Sequence, residues 1–256
     1  MAEEQEDIEI PNPDAGILFR AEMFAMNVLL GYAKVLIGVV VAILLVVLVY
    51  SQYRSYQQQG QRAASAATAQ IDGDLRREIL AGLTEPEREA AEQFSIATMR
   101  LLAVFPLTDA SREATANAAA QLTEHAAAVS GPAKAEAALI AGEYYRVVDD
   151  VEGQRKALEI AATDAEGALR YAAVGGLASV DFAEGHTDAG LDRLRNLTAE
   201  FDGYLAEQAA LDLGLALEHA DRNDEAAAVY AEFAKRFPES KRLDEVNSRR
   251  TRIEAG

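Results

Sequence analysis

Two hydrophobic patterns divide the chain. Between Lys34 and Arg54 nineteen residues follow one another without a charge, VLIGVVVAILLVVLVYSQY. From about residue 73 onward, apolar residues recur every three or four positions, which is the spacing of one face of an α-helix, and no segment alternates as a half-buried strand does. The first pattern predicts a helix within a lipid bilayer, and the second predicts a series of amphipathic helices.

The uncharged run predicts a transmembrane helix over 34–54. At 1.5 Å per residue it spans about 28 Å, close to the ~30 Å hydrocarbon core of a bilayer. Tyr32, Tyr50 and Tyr53 stand at its ends, where aromatic side chains favour the membrane interface. A cleaved signal peptide has a basic leading region and a small-residue cleavage site directly after its apolar run. Because the leading residues here are acidic, the pattern favours an uncleaved anchor.

The segments beside this span are interpreted from their composition. Residues 1–15 are acidic, contain two prolines and are predicted to form a disordered arm. Residues 16–33 are apolar enough to form a helix along the membrane interface or to extend the transmembrane helix, and either alternative keeps them at the membrane. Residues 55–72 are polar and small, and they are predicted to form a stalk that is helical in part.

The orientation of the span follows from the lengths of its flanks. Lysine and arginine are balanced on its two sides, so the positive-inside rule does not decide between orientations. A short leading arm and a large trailing domain are typical of a signal anchor, which predicts a cytoplasmic amino terminus and a periplasmic or extracytoplasmic domain. An adaptor whose domain lies in the cytoplasm is the alternative.

Turn-forming residues interrupt the helical pattern every fifteen to twenty residues between 73 and 240. Thr84 precedes the acidic and proline residues that favour a helix start, with Glu87 at the capping-box position. Short turns between helices predict antiparallel hairpins. The chain is therefore predicted to be all-α, with a single amino-terminal transmembrane helix, an α-solenoid of helical hairpins over 73–240 and a capping helix over 241–256.

The sequence repeats itself at an offset of 36 residues. Gly214 is predicted to be small because the second helix of its own hairpin crosses there. Tyr230 and Phe233 are predicted to fill the space toward the next hairpin, and Pro238 ends the last helix of the repeats. The residues predicted to pack the repeats are Gly142, Ala178, Gly190, Gly214, Ala226, Tyr230 and Pro238.

Residues 207–240 resemble a tetratricopeptide repeat. The matching positions are Leu213, Gly214, Leu217, Ala226, Tyr230 and Pro238. The two preceding units are degenerate, since Asp181 stands where the family has an apolar residue and the period is 36 residues where the family has about 34. The resemblance implies an α-solenoid that binds other proteins.

The layout as a whole resembles that of the ancillary subunit of the bacterial Sec translocon, which has a short arm, one span and an outward domain of such repeats. This resemblance implies a scaffold in the inner membrane with translocon components or a membrane-anchored chaperone among its partners, assisting the translocation or folding of exported polypeptides. The family has no catalytic residues to transfer. The alternative function is a structural subunit of a larger membrane complex, held mainly through its transmembrane helix.

Composition excludes several classes of function. The net charge of −18 argues against binding to nucleic acid, whose phosphates need a basic face. There are no cysteines, and His125, His186 and His219 each lack a second ligand at helical spacing, so neither a metal nor a cofactor is expected. No arrangement of nucleophile and base is visible, and an enzyme is not expected.

The first helices of stacked hairpins line an extended groove. Phe182 and Leu215 suit an apolar side chain of a bound peptide, and Arg146 suits a carboxylate; the alternative is that these are ordinary packing residues. The register places in this groove Glu143, Arg146, Ser179, Phe182, Leu215, Glu218 and His219. In the capping helix, Leu243, Val246 and Ile253 are predicted to cover the last hairpin, whereas Arg249, Arg250 and Arg252 are predicted to face water.

Overall fold

The computed structural model describes residues 59–93 and 97–255, and every regular element in these ranges is an α-helix. The all-α prediction is therefore confirmed for the described residues. Helix α1 comprises the helical residues 59–82. It is followed by α2 Glu85–Gln93, α3 Thr98–Val104, α4 Asp109–Ala128, α5 Pro132–Val147, α6 Val151–Asp164, α7 Gly167–Ala183, α8 Thr187–Glu200, α9 Gly203–His219, α10 Asn223–Arg236 and α11 Leu243–Ala255.

The membrane predictions fall outside these ranges. The arm (1–15), the interface helix (16–33) and the transmembrane helix (34–54) are not among the described residues, so each of them stays a prediction. Across 59–93 and 97–255, no helix combines the length and the apolar character needed to cross a membrane.

Helix starts follow the local sequence. At α2 the backbone N–H of Thr84 donates to the carboxylate of Glu87 at 2.9 Å, as the capping-box pattern predicts. At α4 the hydroxyl of Thr108 accepts from the backbone N–H of Ser111 at 3.1 Å. Each cap satisfies a backbone or side-chain group that the helix end would leave without a partner.

Helices α5 to α10 form three hairpins, α5–α6, α7–α8 and α9–α10. The two helices of each hairpin pack against each other, and α5, α7 and α9 also contact one another in sequence. Within each hairpin the turn contains one residue with positive φ, at Asp149, Gly185 and Asp221, and these positions are 36 residues apart. Glycine adopts this backbone conformation without strain, and aspartate tolerates it better than most residues.

The hydrogen bonds of these turns repeat as well. The N–H of His186 donates to the carbonyl of Asp181 at 2.8 Å, and the N–H of Arg222 donates to that of Leu217 at 2.9 Å. The equivalent bond in the first hairpin joins Asp150 to Tyr145 at 2.9 Å. This bond across a left-handed residue is the Schellman closure of a helix end, so the three hairpins share one turn geometry.

The connections between hairpins carry the same period. Gly131, Gly167 and Gly203 all have positive φ and stand at the starts of α5, α7 and α9, Gly131 directly before its helix and the other two as the first helical residue. They too are separated by 36 residues. The repeat found in the sequence is thus present in the backbone at both kinds of turn, from residue 131 to the end of α10.

Small residues mark close contacts within the hairpins. A Cβ added to Gly214 would overlap the ring of Tyr230 on α10, with Cζ at 2.7 Å, and one added to Gly142 would lie 3.2 Å from Leu158 on α6. In both hairpins the partner follows the glycine by sixteen residues. Ala178 and Leu194 occupy the same two positions in the middle hairpin, and both are buried.

Tyr230 makes a contact that the repeat pattern did not predict. Its ring lies over Gly214 in its own hairpin, and it belongs to the same apolar cluster as Val246 of α11. The absence of a side chain at position 214 leaves room there for an aromatic ring. Phe233 is buried and packs edge-on against Phe237, with 5.1 Å between ring centroids, and the exposed Pro238 follows the end of α10.

The prediction of a stalk over 55–72 is corrected for the residues of this segment that the structure describes. Residues 59–72 belong to α1, which is fixed to the hairpins by side-chain contacts. The Gln61 amide donates to the carbonyl of Ser130 at 2.9 Å and accepts from the N–H of Ala133 at 3.1 Å. These bonds tie α1 to the start of α5, so residues 59–72 are part of the folded unit.

Helix α11 packs against α10 and buries Val246 completely, with Ile253 partly buried in the same apolar cluster. The prediction that all three arginines of this segment face water is wrong for two of them. The side chains of Arg249 and Arg250 are 29% and 34% exposed, and Arg249 pairs with Glu218 at 3.4 Å. Arg252 is 66% exposed, although it also reaches Glu218, at 2.7 Å.

Candidate ligand-binding groove

A groove of about 660 Å³ opens between α7 and α9, with α8 at its base. Its lining is mainly apolar and contains two polar side chains from α9, Asp212 and His219. The lining residues are Tyr171, Ala172, Gly175, Ala178, Ser179, Phe182, Thr187, Leu194, Asp212, Leu215, Ala216, His219 and Ala220. Its volume falls within the roughly 300–1,000 Å³ of small-ligand sites.

The groove exists because one face of α7 carries small side chains. Ala172, Gly175 and Ser179 follow one another at helical spacing along its wall. A Cβ added to Gly175 would meet no atom within 4 Å, which shows that the space before it is open. Large residues at these positions would fill the volume that the hairpins enclose.

Phe182 is held in place by a contact with α8. A Cβ at Gly190 of α8 would lie 2.5 Å from its ring, so the ring rests directly on the backbone of α8. This contact leaves Phe182 half-buried, with part of the ring in the groove wall. Gly190, predicted as a packing residue, therefore positions an apolar residue of the groove.

Asp212 is the acidic group of the groove. It is half-buried, and its carboxylate accepts hydrogen bonds from the hydroxyl of Tyr171 and from the amide of Gln208, the latter at 2.8 Å. Burial, and then the hydrogen bond to Asp212, hold the pKa of Tyr171 well above its usual range, so the phenol stays a donor.

Four of the seven residues predicted for a groove line this cavity, namely Ser179, Phe182, Leu215 and His219. Glu143 and Arg146 do not contribute to it. They lie on the exposed surface of α5, where they pair with each other at 2.9 Å.

Glu218, the remaining predicted groove residue, faces the capping helix. Its carboxylate accepts from the hydroxyl of Tyr230 and pairs with Arg249 and Arg252. Burial raises the pKa of Glu218, but the hydrogen bonds from Tyr230 and Arg252 outweigh burial and lower the pKa below its ordinary value. This residue therefore joins α9 to α11.

A second polar cluster surrounds Asp181, which is 3% exposed. Its two carboxylate oxygens accept from Arg155 of α6 at 2.8 Å and from Arg193 of α8 at 2.6 Å. Burial raises the pKa of Asp181, and the bonds from the two arginines lower it further than burial raises it. The acid that departs from the repeat pattern is thus the centre of an ion-pair network.

Asp181, Glu184 and His186 are close enough together to hold a metal ion. Arg155 also donates to Glu184, at 2.5 Å, so two guanidinium groups already occupy this carboxylate cluster. Their positive charge disfavours a cation at the same place. The cluster is therefore interpreted as an ionic clamp.

The repeat pattern predicted no role for Tyr171, Gln208 and Asp212. Asp212 is the only charged residue between Glu207 and Glu218, within the otherwise apolar centre of α9. Such an isolated acid is a signal that sequence could provide. Its pairing with Tyr171, 41 positions away, depends on how α7 packs against α9.

Comparison of the chain with family models, with curated proteins and with solved structures found no match in any of the three.

Proposed function

We propose that this chain is a membrane-anchored scaffold whose helical hairpins, resembling tetratricopeptide repeats, bind other proteins. The observation that carries the proposal is the apolar groove between α7 and α9. Stacked hairpins present their first helices as a continuous binding face, and α7 and α9 are such helices. A groove of small and apolar residues suits a short polypeptide segment better than a folded surface.

The membrane anchor in this proposal is the uncharged run over 34–54. A domain confined near a bilayer meets membrane-bound partners at a higher effective concentration than a freely diffusing domain. A scaffold of this kind on the outer side of an inner membrane would meet polypeptides as they emerge from a translocon. The proposed role is to assist their translocation or folding.

Site-specific photocrosslinking tests this role. A photoreactive amino acid is placed at Ser179 of the full chain in membranes that translocate a radiolabelled exported polypeptide. Glu159, which is exposed on α6 and outside the groove, is the control position. We expect a labelled adduct from position 179 and none from 159. Equal labelling from both positions, or none from either, would contradict binding in the groove.

The side of the membrane requires a separate experiment. A reporter that is active only in the cytoplasm is fused after Gly256, and one that is active only outside the cytoplasm is fused at the same site. We expect activity from the second fusion alone. Activity of the cytoplasmic reporter would remove the proposed role in export and leave the cytoplasmic adaptor.

A further inference from the structure

Asp212 differs from two other acids of the last two hairpins, Asp181 and Glu218. Asp181 and Glu218 each pair with two arginines. Asp212 accepts hydrogen bonds only from the uncharged groups of Tyr171 and Gln208, and no cation among the described residues lies within salt-bridge distance of it. Arg242 is near enough to influence the pKa of Tyr171, but it forms no ion pair with Asp212.

This arrangement leaves a negative charge without a counterion at the wall of an apolar groove. Removing a carboxylate from water costs free energy unless an opposite charge compensates it. Neutral donors orient the two oxygens of Asp212 but do not neutralise them. A ligand that brings a positive charge into the groove recovers part of this cost.

The rest of the groove lining indicates which groups of the ligand would lie beside its positive charge. Phe182, Leu194 and Leu215 present apolar surface, and the small residues of α7 leave room beside it. Lysine and arginine side chains combine an apolar stem with a cationic end, so they contact both kinds of surface at once. A volume of about 660 Å³ holds a few residues of peptide.

We propose that the groove binds a short apolar peptide segment containing a lysine or arginine, whose cationic group pairs with Asp212. This inference rests on the proposed function and specifies its ligand. An acidic segment would place a second carboxylate beside Asp212, and Arg146, the residue predicted to receive a carboxylate, lies outside the groove. The net charge of −18 also attracts basic segments before contact.

Peptide binding to the full chain in nonionic detergent tests the inference. The probe is Ser-Leu-Ala-Lys-Ala-Leu-Ser with blocked termini and an uncharged fluorophore, compared by fluorescence anisotropy with peptides carrying Gln or Glu in place of Lys. Because a Gln amide can also donate to Asp212, the preference for Lys comes from the pairing of opposite charges, which is expected to make the Lys peptide bind about tenfold or more tightly than the Gln peptide. The Glu peptide should bind most weakly.

Asp212→Asn keeps the size and hydrogen-bonding capacity of the side chain and removes its charge. It should reduce the affinity for the Lys peptide to that for the Gln peptide. Glu159→Gln removes one negative charge from the exposed surface of α6, outside the groove, and should leave the preference for Lys intact. Circular dichroism of both variants checks that each is folded, and the comparison of the three peptides on the unmodified chain does not depend on any variant.

The outcomes separate this inference from the proposed function. Equal binding of the three peptides, reduced by a bulky Ser179→Trp substitution, would overturn the basic specificity and leave a groove for apolar segments. Tightest binding of the Glu peptide would also overturn it. If none of the peptides binds, both the inference and the groove as a peptide site fail.

Discussion

Gly214 and Tyr230 show how a single position governs the contact between two helices. A methyl group at 214 would overlap a ring that is completely buried and whose hydroxyl is bonded to Glu218. Overpacking of this kind costs about 1–3 kcal/mol, whereas replacing a helical glycine by alanine gains at most ~1 kcal/mol. Gly214→Ala should therefore lower the free energy of unfolding, measured by chemical denaturation followed by circular dichroism.

The control for this substitution is Gly73→Ala in α1, where an added Cβ meets no atom within 4 Å. It should stabilise the protein by about 0.5–1 kcal/mol. A second substitution tests the cause. Tyr230→Leu combined with Gly214→Ala reproduces the pair Ala178 and Leu194 of the middle hairpin. The double variant should lose less stability than the sum of the single variants, and strict additivity would mean that the ring is not the obstacle.

Residues that act within one hairpin were predictable because their partners recur at a fixed distance along the chain. The coincidence of Gly142, Ala178 and Gly214 at 36-residue intervals identified the contact positions before any coordinates. Asp212 and Tyr171 have no such recurrence. Their contact depends on the packing of one hairpin on the next, and the repeat pattern provides no information on it.

At the scale of elements, the network around Asp181 joins three helices from two hairpins. Arg155 lies on α6, Asp181 on α7 and Arg193 on α8. Removing one partner of a buried ion pair leaves the others without compensation and costs roughly 3–5 kcal/mol. Asp181→Ala should approach this loss in the free energy of unfolding, moderated by the partial exposure of both arginines, which are 25% and 35% exposed.

Asp192→Ala provides the matched control. This aspartate is 69% exposed and pairs with Arg195 one helical turn away. Exposed pairs of this kind contribute about 0–1 kcal/mol. A similar loss of stability in the two variants would show that the network around Asp181 is not a clamp between hairpins.

Most boundaries of the repeat helices followed the turn signals, because the glycines at 131 and 203 and the polar turns near 149, 185 and 221 are local features; the break between α6 and α7 at 165–166 was not among the predicted turns. The amino-terminal boundary of the folded unit did not follow such signals. Residues 59–72 look like a linker because they are polar and small, yet Gln61 fixes them to the start of α5. Hydrogen bonds between residues about seventy positions apart are invisible in composition.

At the scale of the whole molecule, acid acts on stability through two opposed effects. The chain carries a net charge of −18, and protonation of its many exposed carboxylates relieves repulsion. Asp181 and Glu218 act in the other direction. Their pKa values are lowered from the ordinary 3.8 and 4.5, so the stability they provide is complete above those values and is lost as the pH falls through the lower folded-state pKa.

Comparison with a variant separates these effects, because Asp181→Asn with Glu218→Gln removes the titration of these two carboxylates and changes the remaining carboxylates little. The difference in free energy of unfolding between the unmodified chain and this variant should be largest near neutral pH and shrink as the pH falls below about 4. Urea denaturation of both proteins at a series of pH values measures it. A difference that stays constant down to pH ~2 would mean that neither carboxylate releases its proton more readily in the folded protein, and the clamps at α6–α8 and α9–α11 would then have no electrostatic basis.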